Sequence, residues 1–209
     1  MKQQSEIAER IKNKAHDLFM QYGIRTVSMD DIATSLGISK KTIYQYFKDK
    51  DALTEAVIST VCENDVCICE RDKKLAENAV HEIFLVLDFL EEMFKGMNPS
   101  VLFDLQKYHP VSFSKFLTHK DEYLFSMIKS NLQRGVEEEL YRTEIDIDVL
   151  AKYRLESIMI PFNPMFMKTM NVNIAAITKE ITLHYLYGLV TPAGYKLIMK
   201  YKNRKSKKK

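Results

Sequence analysis

Residues 37–50, Gly-Ile-Ser-Lys-Lys-Thr-Ile-Tyr-Gln-Tyr-Phe-Lys-Asp-Lys, concentrate side chains that can meet a polyanion. On a helix of about 100° per residue, Ile43 and Phe47 lie one turn apart and must face a core. Lys41 and Gln45 then point away from it. Thr42 and Tyr44 sit about 100° to either side of Ile43, and Lys40 and Tyr46 lie nearer the margins. This outward face carries cations, hydroxyls and an amide, and no acid. Cations and hydroxyls suit phosphate oxygens, whereas Lys and Gln can also read base edges in the major groove. Ser39 is placed to cap the helix, whose N-terminus can offer backbone N–H groups to a phosphate. The alternative is the solvated face of an ordinary helical bundle, but two Tyr beside two Lys are costly to leave exposed without purpose.

Other reactive chemistry is missing. The sequence has no Gly-rich phosphate loop, no Gly-x-Ser-x-Gly and no His-Glu-x-x-His. His16, His81, His109, His119 and His184 show no metal-ligand spacing. Cys67 and Cys69 would lie about 160° apart on a helix and could not share a metal or a disulfide there. Together with Cys62 they read as packing residues. No catalytic residue, no metal and no cofactor is expected, and the chain does not read as an enzyme.

The elements that position these residues show helical spacing. Ile7, Ile11, Ala15, Leu18, Phe19 and Tyr22 form one face of a first helix, with Gly23 where a C′ residue belongs. Ser28 and Asp31 read as the N-cap and N3 of a capping box. Ile32, Ala33 and Leu36 are the inward set of a short second helix that Gly37 stops. With residues 40–47 as a third, the spacing is that of a helix-turn-helix. Asp49 or Asp51 starts a long fourth helix through Leu53, Val57, Ile58 and Val61. Further helices are predicted over residues 76–95, from Pro99, and from Pro110 to about residue 140 with a bend. Others run from Asp146 to Pro161, over residues 171–190, and briefly after Pro192. No alternating strand pattern stands out, so the expected fold class is all-α.

Composition agrees with that class. Six Gly and five Pro are too few for a turn-rich β protein, and no apolar run reaches the roughly 18 residues of a membrane span. Three Cys and a polar N-terminus point to the reducing cytoplasm. Charge is partitioned: net +3 over residues 1–50, −7 over 51–199 and +7 over 200–209. The expected divisions follow these segments: a helix-turn-helix DNA-binding domain, a helical effector-binding and dimerisation domain, and a flexible basic tail.

Residues 8–68 resemble the N-terminal domain of the TetR/AcrR family of transcriptional regulators, with the motif over residues 29–48. The likeness rests on Ala15, Phe19 and Gly23, on Thr26-Val27-Ser28, on Ile32-Ala33, and above all on residues 37–50. The resemblance implies phosphate contacts from Thr26, Ser28, Ser39, Lys40, Tyr46 and Lys50. It implies base reading from Lys41, Thr42, Tyr44 and Gln45. Position 41 is commonly Gly in that family, letting the backbone approach a base edge. Lys41 departs from this and could reach a guanine edge or a phosphate instead. The resemblance further implies a homodimer on a palindromic site in double-stranded DNA, acting most simply as a repressor. A small-molecule effector would bind the helical C-terminal domain and release it. Residues 149–160 and 174–190 would pair with their twins in the dimer.

The effector site is read from residue types. Phe103, Gln106, Tyr108, His109, Phe113, Tyr123 and Met127 mix aromatic bodies with polar tips, and Tyr153, Glu156 and Met159 could face them. Met159, Met165, Met167 and Met170 add adaptable surface. An apolar pocket with a few polar groups suits a flat or lipid-like molecule better than a sugar or a phosphate. The competing function is a DNA-binding adaptor or architectural protein governed by a protein partner.

Overall fold

A computed structural model describes the backbone of residues 2–168 and 173–206. Met170, Asn171 and residues 207–209, which figure in the expectations above, lie outside the described residues. Among the described residues the regular elements are helical, and the one β feature is an isolated antiparallel bridge between Tyr141 and Val190. The helices are α1 (Lys2–Tyr22), α2 (Met29–Leu36), α3 (Lys40–Tyr44), α4 (Lys50–Leu75), α5 (Ala79–Met93) and α6 (Val101–Tyr108). They continue with α7 (Pro110–His119), α8 (Phe125–Glu137), α9 (Ile147–Ser157), α10 (Pro164–Lys168), α11 (Ile174–Leu189) and α12 (Pro192–Ser206). None of the described helices is long and apolar enough to cross a membrane.

Two compact units divide the chain: residues 1–65 with 96–119, and residues 66–95 with 120–209. The division falls within α4 rather than at residue 50, where the charge pattern changes sign. In the first unit, Ile11, Ala15 and Phe19 of α1 pack with Ile24, Val27, Ile32, Ala33, Ile43, Leu53 and Leu105 in one core. Each large aliphatic side chain so buried contributes about 1.5–3 kcal/mol. Helix ends are set locally. Gly23 takes φ 86° and Gly37 takes φ 66°, left-handed values that let each chain reversal follow its helix without a Cβ penalty.

The second unit centres on Val80, Phe84 and Leu87 of α5, with Leu132, Tyr141, Ala151, Leu186, Leu189 and Ile198. Gly135 exists here for space. A Cβ on it would lie 2.0 Å from Cδ2 of the buried Tyr141 ring. The Tyr141 hydroxyl donates to Asn131 Oδ1 at 3.1 Å, and Asn131 Nδ2 donates to the carbonyl of Ala79 at 3.1 Å.

Several sequence expectations are refined. The predicted bend after Pro110 is a π-type turn at Lys120–Leu124 between α7 and α8. Pro110 opens α7 as expected, but Pro99 stands two residues ahead of α6. Tyr22, placed on the inward face of α1, is 49% exposed, because it belongs to the last turn beside the chain reversal. Cys67 is exposed rather than packed, while Cys62 and Cys69 are half-buried.

The largest revision concerns the C-terminus. A flexible tail from residue 200 was expected, yet α12 continues to Ser206. Ile198 and Tyr201 lie three apart on its inner face and are both buried. The Tyr201 ring stacks on His81 at 4.7 Å, and its hydroxyl donates to Glu77 and accepts from Asn78 Nδ2 at 3.0 Å. Lys200 and Arg204 pair with Glu77. An inward apolar stripe outweighed a cationic composition.

Candidate nucleic-acid interface

Ser28 caps α2 in a complete box. Its Oγ accepts from the Asp31 N–H at 3.2 Å, and its N–H donates to Asp31 Oδ2 at 2.8 Å. The Ser28 hydroxyl also donates to that carboxylate, which holds the Asp31 pKa below the usual aspartate value. After Gly37, Ser39 Oγ accepts from the Thr42 N–H at 3.1 Å and starts α3. The helix expected over residues 40–47 is shorter. Gln45 N–H and Tyr46 N–H turn back to Thr42 O and Ile43 O, closing three-residue turns after Tyr44.

Burial then fixes orientation. Ile43 and Phe47 are in the core. Lys41, Tyr44 and Gln45 face solvent, as do Thr26, Ser28, Ser39 and Lys40, and Tyr44 is 44% exposed. Thr42 and Tyr46 are half-buried. The fold therefore leaves all ten candidate residues accessible or partly accessible, with Thr42, Tyr46 and Lys50 the half-buried ones. Lys40 is not free of acid: its Nζ lies 2.8 Å from Asp30 Oδ2.

Lys50 is differently engaged. Its ammonium donates to the carbonyls of Ile24 and Arg25 and sits 5.9 Å from the Phe19 ring centroid. Desolvation lowers its pKa, and the nearby Asp104, Asp51 and Asp31 charges oppose that. Two exposed cations were missed by sequence reasoning. Lys48 has an 81% exposed side chain, and its place in the motif run was the available signal. Arg25 stands beside Thr26 with its guanidinium 5.1 Å from the Tyr108 ring centroid.

The candidate effector residues fall in both units. Phe103, Gln106, Tyr108, His109 and Phe113 belong to the first. Phe103 and Gln106 are exposed, and Lys107 lies over the Phe103 ring. His109 is buried and its Nδ1 stands 2.6 Å from Asp51 Oδ1. Phe113 stacks with Phe116. Tyr123, Met127, Tyr153, Glu156 and Met159 belong to the second. The Tyr123 hydroxyl donates to Val66 O at 3.2 Å, and Met127 and Met159 are half-buried. Tyr153 is 50% exposed over Tyr185, and Glu156 is exposed and paired with Lys152 at 2.8 Å. Among the described residues, no group of three His, Cys, Asp or Glu is placed to hold a metal.

Two capped short helices with an outward basic and amide row form a helix-turn-helix, and comparison with known proteins finds the same motif. Residues 5–57 match the model for bacterial regulatory proteins of the tetR family. The HTH-type transcriptional regulator YvaF of Bacillus subtilis (strain 168) is 33% identical over 103 residues, 48% of this chain and 53% of that protein. An HTH-type transcriptional regulator of Staphylococcus aureus (strain USA300) is 44% identical over 57 residues, 27% of this chain and 31% of its own. The chain thus spans about half the length of the first and a third of the second. A TetR-family regulator from Agrobacterium tumefaciens shares the fold, with a TM-score of 0.75 at 15% identity, over 90% of this chain and 100% of that one. Residues 5–57 thus match a tetR-family DNA-binding segment, and the chain shares its fold with a solved TetR-family regulator. Both of these curated relatives are HTH-type transcriptional regulators.

Proposed function

We propose that this chain is a homodimeric repressor that binds a two-fold symmetric operator and is released by a small effector. The observation that carries the reading is the solvent-facing row of Lys41, Tyr44 and Gln45, held outward by the buried Ile43 and Phe47. One such short helix reads only a few base pairs, so specificity requires a second copy and an inverted repeat. The dimer reading is supported by Val149, Tyr153 and Tyr187, which are 60%, 50% and 37% exposed on α9 and α11. Large apolar groups left in water mark a surface that is covered in use.

Release requires that the effector bind the DNA-incompetent state better than the competent one. α4 carries the chain from one compact unit into the other and is the element through which such a shift would pass. The setting is the cytoplasm, where the DNA is. Selection of bound sequences from a random duplex pool tests the reading. An inverted repeat occupied by two chains is the expected result. A single unrepeated site occupied by one chain would overturn it.

A further inference from the structure

Arg154 on α9 is 6% exposed, and among the described residues its guanidinium bonds hydroxyls rather than a carboxylate. Its Nη1 donates to Ser157 Oγ at 3.2 Å and its Nη2 to Thr182 Oγ1 at 2.8 Å. The guanidinium lies 5.6 Å from the Tyr185 ring centroid. Both hydroxyls have their own acceptors: Ser157 donates to Arg154 O and Thr182 to Thr178 O, each at 2.7 Å. Other buried or half-buried cations of this unit are compensated. Lys120 has Asp121 and Glu156, and Arg134 has Glu82 and Glu138. Desolvation lowers the Arg154 pKa to about 10, which still leaves it protonated at neutral pH. A guanidinium has five N–H donors, and most of these find no acceptor among the described residues. A lone buried charge of this kind is costly to keep.

A second observation points to the same place. The Thr178 Oγ1 and Tyr185 hydroxyl atoms are buried without a hydrogen-bond partner. Thr178, Thr182 and Tyr185 are spaced four and three apart, so they share the face of α11 that meets Arg154. Leu155, Leu183 and Leu186 are buried on the same two helices. Arg154 thus meets, through Thr182 and the Tyr185 ring, the helical face that carries two orphaned hydroxyls.

We propose that Arg154, Thr178 and Tyr185 seat the carboxylate of a monoanionic effector with an apolar body. This deepens the effector-responsive reading above and rests on it. A carboxylate accepts only, can take two parallel N–H bonds from a guanidinium, and has lone pairs left for two hydroxyls. One cation matches one negative charge, which a neutral sugar does not bring and an amine would oppose. The apolar ligand expected from the sequence is thereby given an acidic end.

The test titrates hexanoate through dodecanoate, benzoate and phenylacetate into the full chain, beside the matching alcohols and primary amines. Thermal melting reads binding, and fluorescence anisotropy of labelled operator reads release. At least one carboxylate is expected to raise Tm by about 5–10 °C at roughly 100 times its Kd, while its alcohol and amine do not. Arg154→Met should weaken that binding by roughly tenfold or more and should melt no lower than the parent without ligand, because the charge it removes is uncompensated. Should that variant not fold, Arg154→Lys decides, since it keeps the charge without the fork: weakened binding supports the site and unchanged binding overturns it. The proposal falls if no carboxylate shifts Tm or if Arg154→Met binds as the parent does. It also falls if Arg154→Met converts a dimeric parent to a monomer in sedimentation, which assigns the counter-charge to the second copy. A carboxylate that binds without releasing operator supports the site and overturns the effector reading. A neutral compound that releases operator equally from both proteins overturns the site and leaves the effector reading standing.

Discussion

At the scale of residues, two lysines flank Asp49 in different surroundings. The Lys50 ammonium holds the carbonyls of Ile24 and Arg25, whereas the Lys48 side chain is 81% exposed beside Asp49 at 3.9 Å. Lys50→Ala is therefore expected to cost about 1–2 kcal/mol of stability through its lost charge-assisted bonds. Lys48→Ala should leave Tm unchanged and flatten the salt dependence of operator and random DNA alike by about one unit. Gln45, exposed and without an ion pair, should behave otherwise: Gln45→Ala should cost ~1–3 kcal/mol on operator and little on random duplex. Melting curves and anisotropy at two salt concentrations separate the three variants. Equal losses on both DNAs for Gln45→Ala would reverse its assignment as a base reader.

At the scale of elements, helix ends carry the predictions. The Asp31 carboxyl is held below its ordinary pKa first by the Ser28 hydroxyl and then by the Ser28 N–H. Its contribution is therefore present above the usual aspartate range and is lost as pH falls through the depressed folded value. Melts between neutral and acid pH should show the head losing stability, and Asp31→Asn should flatten that dependence. A steep acid loss that persists in Asp31→Asn would place its source elsewhere. α12 supplies a second case. Ending the chain after Met199 removes the buried Tyr201 with its His81 stack and its Asn78 and Glu77 bonds. By analogy with deletion of a buried aromatic, a loss of about 3–5 kcal/mol is expected. A truncated protein that melts with the parent would restore the view of a solvated tail.

At the scale of the molecule, the expected assembly is a dimer through α9 and α11. Val149 and Tyr153 are four apart on α9 and both lie largely in solvent. Val149→Glu with Tyr153→Glu would bring two charges from each copy into a two-fold interface, where they meet their twins. Sedimentation at micromolar concentration should then show a monomer, and operator affinity should collapse while the melt of the isolated chain changes little. A parent that is already monomeric would remove this assembly altogether.

What the sequence determined by itself is local in reach. The capping of α2 by Ser28, the stops at Gly23 and Gly37, the start of α7 at Pro110 and the inward pair Ile43 and Phe47 each depend on residues within four positions. Backbone geometry and helical period act over that distance, so the fold class and the outward row of α3 were legible. Tertiary structure decided what depends on distant partners. Lys50 is turned to carbonyls 25 and 26 residues away, and α12 is held on Glu77 by Arg204, 127 residues on. Arg154 left a trace in the sequence, a cation three residues after Ala151 and three before Ser157 on one helical face. Only the packing of α9 on α11 showed that its neighbours are Ser157, Thr182 and Tyr185 rather than an acid. Periodicity tells which way a side chain points, but the energy of a buried charge is set by whatever the rest of the chain brings to it.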